Sequence, residues 1–427
     1  MAKGLIVAAP HSGSGKTTVT LGLLRALRNA GHNVASAKAG PDYIDPQFHA
    51  AATGQPCFNL DLWAMGAEAC RARLSQLHAD ITIIEGVMGL FDGPDGAPGS
   101  TADLATALDL PVLLVIDCAH QAQSIAALLE GFRNHRKDVR IVGLFLNHVK
   151  SDRHLDLLQR SLKMLGLPII GILRHSDSYH LPSRHLGLVQ AQENQGLETF
   201  LETIAACVTR ETELDFIFQI LAPLANQLDS CPDPLPPLAQ NMAIACDEAF
   251  AFTYPHLLAD WHDQGAEFSF FSPLGNEAPD SRAGAIFLPG GYPELHAGKL
   301  ATNEIFLNGL RTSKATIYGE CGGYMVLGDA LIDADGTAHK MAGLLPVITS
   351  FKTRKLSLGY RQLSSLNGPW AGRLRGHEFH YSTITKQTSG SPLFAARDAA
   401  GNNLGNIGQR VGNVMGSYAH VISKVLS

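Results

Sequence analysis

A chain of 427 residues with 45% hydrophobic and 17% charged residues is long enough to bury the cores of two or three packed domains, which excludes a disordered or fibrous protein. A formal net charge of −6 offers no basic footprint for a nucleic-acid backbone, and the longest apolar runs, such as Leu110 to Ile116, fall far short of the roughly 20 residues that span a bilayer. Nucleic acid and membrane are therefore not expected as partners, and Met1 leads into a glycine-rich loop rather than a secretory leader, which points to the cytoplasm.

The first half alternates short apolar runs with helix-length segments. Strands are expected at Leu5 to Ala9, Val34 to Ala39, Ile81 to Ile84, Pro111 to Ile116, Ile141 to Leu146 and Ile169 to Leu173. That pattern predicts an α/β fold with a parallel sheet covered on both faces. After the first strand, Val19, Leu23, Leu24 and Leu27 fall at helical spacing and Gly31 stops the run. Between residues 226 and 240 four prolines (232, 234, 236, 237) interrupt any helix or central strand, and we read a linker there between domains at 1–225 and 241–427. Beyond it, strands are expected at Met242 to Cys246, Glu267 to Phe271, Ala285 to Leu288 and Thr316 to Tyr318. The seven cysteines form no C-x-x-C pair, so neither a zinc site nor a disulfide framework is indicated.

The stretch "APHSGSGKTT" (residues 9–18) lies between the first strand and the first helix. A phosphate-binding loop needs a turn poor in side chains, so that backbone N–H groups reach phosphate oxygens, a lysine for the terminal phosphates and a hydroxyl for magnesium. Gly13, Ser14, Gly15, Lys16, Thr17 and Thr18 meet that need and are assigned to ATP, although Pro10 stands where the first glycine of G-x-x-x-x-G-K-[ST] is usual. Magnesium also needs carboxylates. Glu85 ends the strand at 81–84, where an acid reaches the phosphate end of the sheet, and "EGVMGLFDGPDG" holds Glu85 and Asp92 in a glycine-rich loop. Asp42 and Asp45 follow the second strand in "KAGPDYIDPQFH" and, taken alone, read as turn-formers. Asn147 ends the fifth strand, as a reader of the adenine edge or as a cap.

"YGECGGYMVLG" sets Cys321 in Gly319-x-Cys-x-Gly323 between an apolar strand and a helix, a nucleophile elbow written with cysteine. The following helix N-terminus is expected to lower the thiol pKa. An oxyanion needs backbone donors, and "LPGGYPE" supplies Gly290 and Gly291 beside the amide of Gly322. Among His296, His339, His377, His380 and His420 we assign the base to His420, after a segment (Val411 to Tyr418) read as a late strand. His377 and His380, in "RGHEFHYS", lie on opposite faces of a strand and read as structural, which argues against a metal there.

With both loops in hand, the sequence resembles the cobyrinate and hydrogenobyrinate a,c-diamide synthase family of cobalamin biosynthesis nearly end to end. The motifs carrying the resemblance are "APHSGSGKTTVTLGLLRAL", "KAGPDYIDPQFH", "IEGVMGLFDG", "LPSRHLGL", "LPGGYPE", "GECGGYMVLG", "RGHEFHYS" and "GSYAH". The resemblance implies an N-terminal dethiobiotin synthetase-like P-loop domain and a C-terminal class I glutamine amidotransferase domain of flavodoxin-like fold. It implies that Cys321 and His420 release ammonia from glutamine, and that ATP phosphorylates a peripheral carboxylate of a corrinoid tetrapyrrole for ammonia to displace, at the a and c acetates. It places Thr17, Glu85 and one or both of Asp42 and Asp45 at magnesium. We carry Thr17, Asp45 and Glu85 forward as metal ligands, and Asp42, Tyr43, Ile44 and Asp92 as substrate-binding residues.

One departure matters: class I domains usually complete the triad with H-x-E, and here Ile422 follows His420 by two. Either a dyad operates or an acid such as Glu378 or Glu320 orients the imidazole. The small-molecule partners are thus the corrinoid, glutamine and ATP, and a homodimer is compatible with the sequence. "STADLATALDLPVLLVIDCAHQAQSIAAL" resembles the metal-free branch, which favours hydrogenobyrinic over cobalt-containing cobyrinic acid. The rival from another class is a partition-type ATPase switch. It carries a signature lysine where this chain has His11 and has no use for Cys321.

Overall fold

The computed structural model describes residues 2–176, 183–184, 187–224, 231–388 and 390–425. The chain divides into two compact units, Met1–Pro232 and Asp233–Ser427.

In the first unit β1 (Lys3–Ala8), β2 (Val34–Ala39), β3 (Phe58–Leu60), β4 (Ile81–Glu85), β5 (Val112–Asp117), β6 (Ile141–Val149) and β7 (Ile169–Arg174) form one parallel sheet in the order β3-β2-β4-β1-β5-β6-β7. A short segment, Ala222–Pro223, pairs antiparallel with β1. The strands of the sheet interior are nearly continuous apolar runs because helices cover both faces. On one face α1 (Lys16–Asn29) packs against the helix Leu197–Glu211, closely enough that a methyl group on Gly22 would stand 2.6 Å from Val208 Cγ2. Arg25 ties the two helices together through Glu198 and Glu202, at 2.5 and 2.7 Å.

Register decides what meets at the carboxyl end of this sheet. Lys38 on β2 and Val7 on β1 both pair with Glu85 on β4, and Asp117 on β5 pairs with Asn147 on β6. The loops after these strands therefore rise from one level, the place where open α/β sheets bind ligands.

The second unit has a parallel sheet of Glu267–Phe271, Asn241–Ala245, Ala285–Leu288, Thr316–Glu320 and Val414–Ser417, in that order, closed by antiparallel Gln409–Val411. Two further sheets follow that the sequence reading did not anticipate. One is antiparallel and runs Asn403–Ile407, Phe394–Arg397, Ser357–Ser365, Arg373–His380 and His420–Lys424. The other holds Ala338–Lys340, Ala330–Ile332, Val347–Ser350 and Thr383–Gln387. Consequently Val411 to Tyr418 is not one strand. It is a hairpin arm, a turn and a core strand, and His420 opens the edge strand of a different sheet, where it pairs with His377. The proline-rich stretch has neither helix nor strand from Cys231 to Gln240, as its prolines require. Its part from Asp233 onward belongs to the second unit, where Leu235 is buried and Trp370 Nε1 donates to the Pro236 carbonyl at 2.8 Å. Residues 226–230 of the expected linker lie outside the described residues.

Candidate functional site

The turn between β1 and α1 is built by two glycines in left-handed backbone, Gly13 (φ 82°) and Gly15 (φ 85°). No side chain fits at Gly15: a methyl group there would meet Asn147 Nδ2 at 2.0 Å. Asn147 closes on the loop instead, its Nδ2 donating to the Ser14 carbonyl at 3.0 Å. Its amide nitrogen is thus engaged by the loop, and a brace for the turn is the role this geometry supports. Ser14 is buried and its hydroxyl donates to the His11 carbonyl, while Thr18 lies half-buried in the first turn of α1.

Lys16 leaves the loop and donates from Nζ to the Met88 carbonyl at 2.6 Å. Met88 sits in left-handed backbone (φ 50°) in the loop after β4. Burial lowers the Lys16 pKa to about 8, with Glu85 acting in the opposite direction.

Behind Lys16 the carboxylates converge. The Thr17 hydroxyl lies 2.7 Å from Glu85 Oε1 and 3.4 Å from Asp45 Oδ2. Lys38 Nζ bridges the same two oxygens at 2.8 and 2.7 Å, and His49 Nε2 lies 2.7 Å from Glu85 Oε2. Burial opposes charge on Glu85, yet Lys38 and His49 hold its carboxyl well below the usual range. Burial likewise opposes charge on His49, but Cys57 and Glu85 beside it raise its pKa to about 10. Hydroxyl and carboxylate oxygens suit a hard divalent cation. Among the described residues no group of three or more His, Cys, Asp or Glu could hold a metal by itself, so nucleotide and water would have to complete its shell, as is usual for magnesium.

Asp42 faces a different task. Its Oδ1 accepts from the N–H groups of Ile44 and Asp45 at 2.9 and 3.0 Å, the turn-forming role read from the sequence. Burial, and then the charge of Asp45, raise its pKa to about 6. Tyr43 and Ile44, between the two acids, are buried. Asp92 is exposed and its Oδ2 accepts from the Gly89 N–H at 2.9 Å.

In the second unit Cys321 sits between the strand Thr316–Glu320 and the helix Gly322–Leu327 with φ 48° and ψ −104°, a conformation that costs a non-glycine residue energy and is characteristic of functional turns. Small neighbours permit it: a side chain on Gly323 would lie 2.0 Å from the Leu288 carbonyl oxygen. A methyl group on Gly290 would lie 3.2 Å from Cys321 Cβ, 2.4 Å from His420 Cε1 and 3.0 Å from His420 Nε2, so cysteine and histidine close on the same point. On Gly322 it would lie 3.1 Å from the Gly291 nitrogen, which puts two of the three oxyanion candidates, Gly291 and Gly322, side by side. The Gly290 carbonyl accepts from the Phe252 N–H at 3.0 Å.

The expectation of a lowered thiol pKa is corrected here. Cys321 is only 2% exposed, and burial pushes its thiol up more strongly than the Gly322 N–H lowers it. The resting group is a thiol, and it needs a base. Burial, with His377 and His380 nearby, lowers the His420 pKa to about 3, so the imidazole is neutral and able to accept a proton. His380 stacks on the Tyr418 ring with centroids 3.8 Å apart, and His377 is buried on the sheet beside His420.

Comparison with known proteins separates the readings these two sites leave open. Residues 5–189 match the CobQ/CobB/MinD/ParA nucleotide binding domain and residues 241–425 the CobB/CobQ-like glutamine amidotransferase domain. The chain is 52% identical to the hydrogenobyrinate a,c-diamide synthase of Brucella anthropi, over 98% of each chain. The same-named proteins of Brucella abortus (53%, 98% of each) and Rhizobium meliloti (50%, 98% of this chain and 99% of the other) are similar over the same extent. The chain belongs to the hydrogenobyrinate a,c-diamide synthase family. As a member of that family it is a glutamine-dependent, amide-forming ligase, with a nucleotide-binding domain preceding an amidotransferase domain. A switch ATPase shares only the first of these, so the partition-type reading falls.

Against the family's two domains, the sequence reading brought Thr17, Asp45 and Glu85 together correctly as neighbours, and likewise Cys321 with His420. It missed Lys38 and His49. Their signals were present: Lys38 is the one charged residue inside the small, mostly apolar run of β2, and His49 stands one helical turn after Asp45 on α2 (Asp45–Thr53). Of the motif "LPSRHLGL" (181–188), Ser183–Arg184 pairs antiparallel with Gly187–Leu188, and the other four residues lie outside the described residues. No helix among the described residues is long and apolar enough to cross a membrane.

Proposed function

We propose that this chain amidates the a and c acetate side chains of hydrogenobyrinic acid, using ATP and glutamine. The observation that carries the reading is the pairing, in one chain, of a phosphate loop facing Thr17, Asp45 and Glu85 with a strained cysteine facing His420. The substrate rests on the names of relatives that match it end to end.

In the second unit the Cys321 thiol gives its proton to His420 Nε2, and the sulfur attacks the side-chain amide carbon of glutamine. The N–H groups of Gly291 and Gly322 stabilise the oxygen that becomes negative. As the C–N bond breaks, Nε2 returns the proton to the departing nitrogen and ammonia leaves. Water then hydrolyses the thioester to glutamate and restores the thiol.

In the first unit the backbone N–H groups from Gly13 to Thr18 and the Lys16 ammonium hold the phosphates. Thr17, Asp45 and Glu85 would hold magnesium, which when bound would spread the charge of the transferring phosphoryl group. Lys38 and His49 keep Glu85 ionised. An acetate oxygen of the substrate bonds to the γ-phosphorus as the bond to ADP breaks. Ammonia then attacks the acyl carbon and phosphate departs. The activation is necessary because oxide does not leave a carboxylate at neutral pH. Asp42, Tyr43, Ile44 and Asp92 line the same loops and are assigned to the tetrapyrrole.

Glu85→Gln is expected to lower amidation roughly 100-fold or more with either glutamine or ammonia as nitrogen source, and to leave glutamine hydrolysis intact. Parallel assays of ADP, amide and glutamate check this. Unchanged amidation at limiting magnesium would remove Glu85 from the metal site.

A further inference from the structure

Where related amidotransferase domains carry an acid two residues after the histidine, this chain has Ile422, which is 1% exposed and whose carbonyl is bonded to His256 Nε2 at 3.1 Å. An apolar side chain fills the place from which an acid would orient the ring. Of the two acids left open by the sequence, Glu378 is engaged elsewhere, with Arg361 Nη2 and Nε at 2.7 and 3.0 Å from its Oε2. Glu320 is not. Its Oε1 accepts from the Tyr318 hydroxyl at 2.9 Å and from the Val421 N–H at 3.0 Å, and its Oε2 lies 3.7 Å from His420 Nδ1.

We infer that Glu320 completes the glutaminase site as a positioning residue, holding His420 with Nδ1 toward its own carboxylate and Nε2 toward Cys321. Three features of the fold impose this. Glu320 and Tyr318 are two apart on one strand, so they share a face, and the hydroxyl fixes the carboxylate from behind. The bond to the Val421 N–H attaches the same carboxylate to the backbone adjoining His420, so acid and base cannot drift apart independently. The ring presents Cε1 and Nε2, not Nδ1, to the point beside Gly290 that Cys321 also faces. The acid therefore comes from the residue before the nucleophile rather than from the strand that carries the histidine. Glu320 exchanges no atoms with substrate. Burial raises the Glu320 pKa to about 8, and the positive charge that forms on the ring when Nε2 takes the thiol proton draws the carboxyl into its anionic form, which in turn favours that imidazolium.

This inference rests on the assignment of Cys321 and His420 above, and the test separates the two. Full-length Glu320→Gln, Glu320→Asp, Cys321→Ala and His420→Asn are assayed for glutaminase kcat and KM, for ammonia-dependent amidation, and for the pH dependence of Cys321 alkylation by iodoacetamide, read by mass spectrometry on the Cys321 peptide. Glu320→Gln is expected to lower glutaminase kcat by about 100-fold or more with little change in KM. Without the anion the imidazolium–thiolate pair is disfavoured, so the alkylation midpoint moves to higher pH by about one unit or more. A purely structural residue would not move that midpoint. Glu320→Asp, which keeps the charge but withdraws it, is expected to show an intermediate loss and carries the test if the glutamine variant does not fold. Wild-type kcat and an unmoved midpoint in a folded Glu320 variant, while Cys321→Ala and His420→Asn are inactive, would overturn the role of Glu320 alone. Persistent glutaminase in Cys321→Ala would overturn the assignment beneath it.

Discussion

Cys321→Ala is expected to abolish glutamine-dependent amidation and to leave ammonia-dependent amidation close to wild type. The thiol lies 2% exposed in strained backbone at φ 48°, and its removal eliminates the only atom that bonds to glutamine in the proposed scheme. Nothing in the phosphate-loop unit depends on it: Lys16, Thr17, Lys38, Asp45 and Glu85 bond among themselves and to the Met88 carbonyl. Alanine also relieves little of the strain, because it too carries a Cβ at positive φ. The variant should therefore fold, and its melting temperature and ammonia-dependent rate serve as controls. A variant that folds and loses both activities would show that the two chemistries share one site.

The second large effect is the reverse. Lys16→Ala should remove amidation with either nitrogen source, by at least roughly 100-fold given what loss of one preorganised donor to a transition-state charge removes, and should spare glutamine hydrolysis. Burial has lowered the Lys16 pKa to about 8, so the ammonium is still mostly charged at neutral pH. Anionic phosphates beside it favour the charged form further. The loop after β4 is tied to the phosphate loop both by this side chain, whose Nζ bonds to the Met88 carbonyl, and by the Leu90 N–H, which donates to the Ala9 carbonyl at 2.8 Å. ATP binding by the variant, measured by calorimetry, is expected to weaken in step with the rate. Intact amidation in the variant would contradict the phosphate-loop assignment.

The first unit was legible because its strands lie between two helical layers and read as unbroken apolar runs. All six predicted strands are present, with ends displaced by up to three residues. The three-residue edge strand Phe58–Leu60 and the two-residue strands Ser183–Arg184, Gly187–Leu188 and Ala222–Pro223 escaped, being too short to show a period. The strand carrying His377 and His380 was read from the sequence, but most others after residue 330 were missed, for another reason. Thr383–Gln387 and Asn403–Ile407 are mostly exposed and carry polar residues on both faces, so neither alternation nor an apolar run marks them. His420 was correctly set near Cys321 although the strand thought to deliver it does not exist as one piece. The thiol pKa failed because a helix N-terminus is visible in a sequence and burial of the sulfur is not. Lys38 and Glu85 meet through strand register, which no local pattern shows. Glu320 was legible only as a candidate, since its hold on Val421 spans 101 positions of sequence.

The most direct measurement supplies the wild-type protein with hydrogenobyrinic acid, cobyrinic acid or neither, together with MgATP and glutamine, and follows corrinoid mass, ADP and glutamate in the same reaction. The expected result is a monoamide followed by a diamide of hydrogenobyrinic acid, with one ADP and at least one glutamate formed per amide. ADP formation without amide, or amidation of the cobalt-containing acid in preference to the metal-free one, would contradict the proposed reaction and substrate respectively.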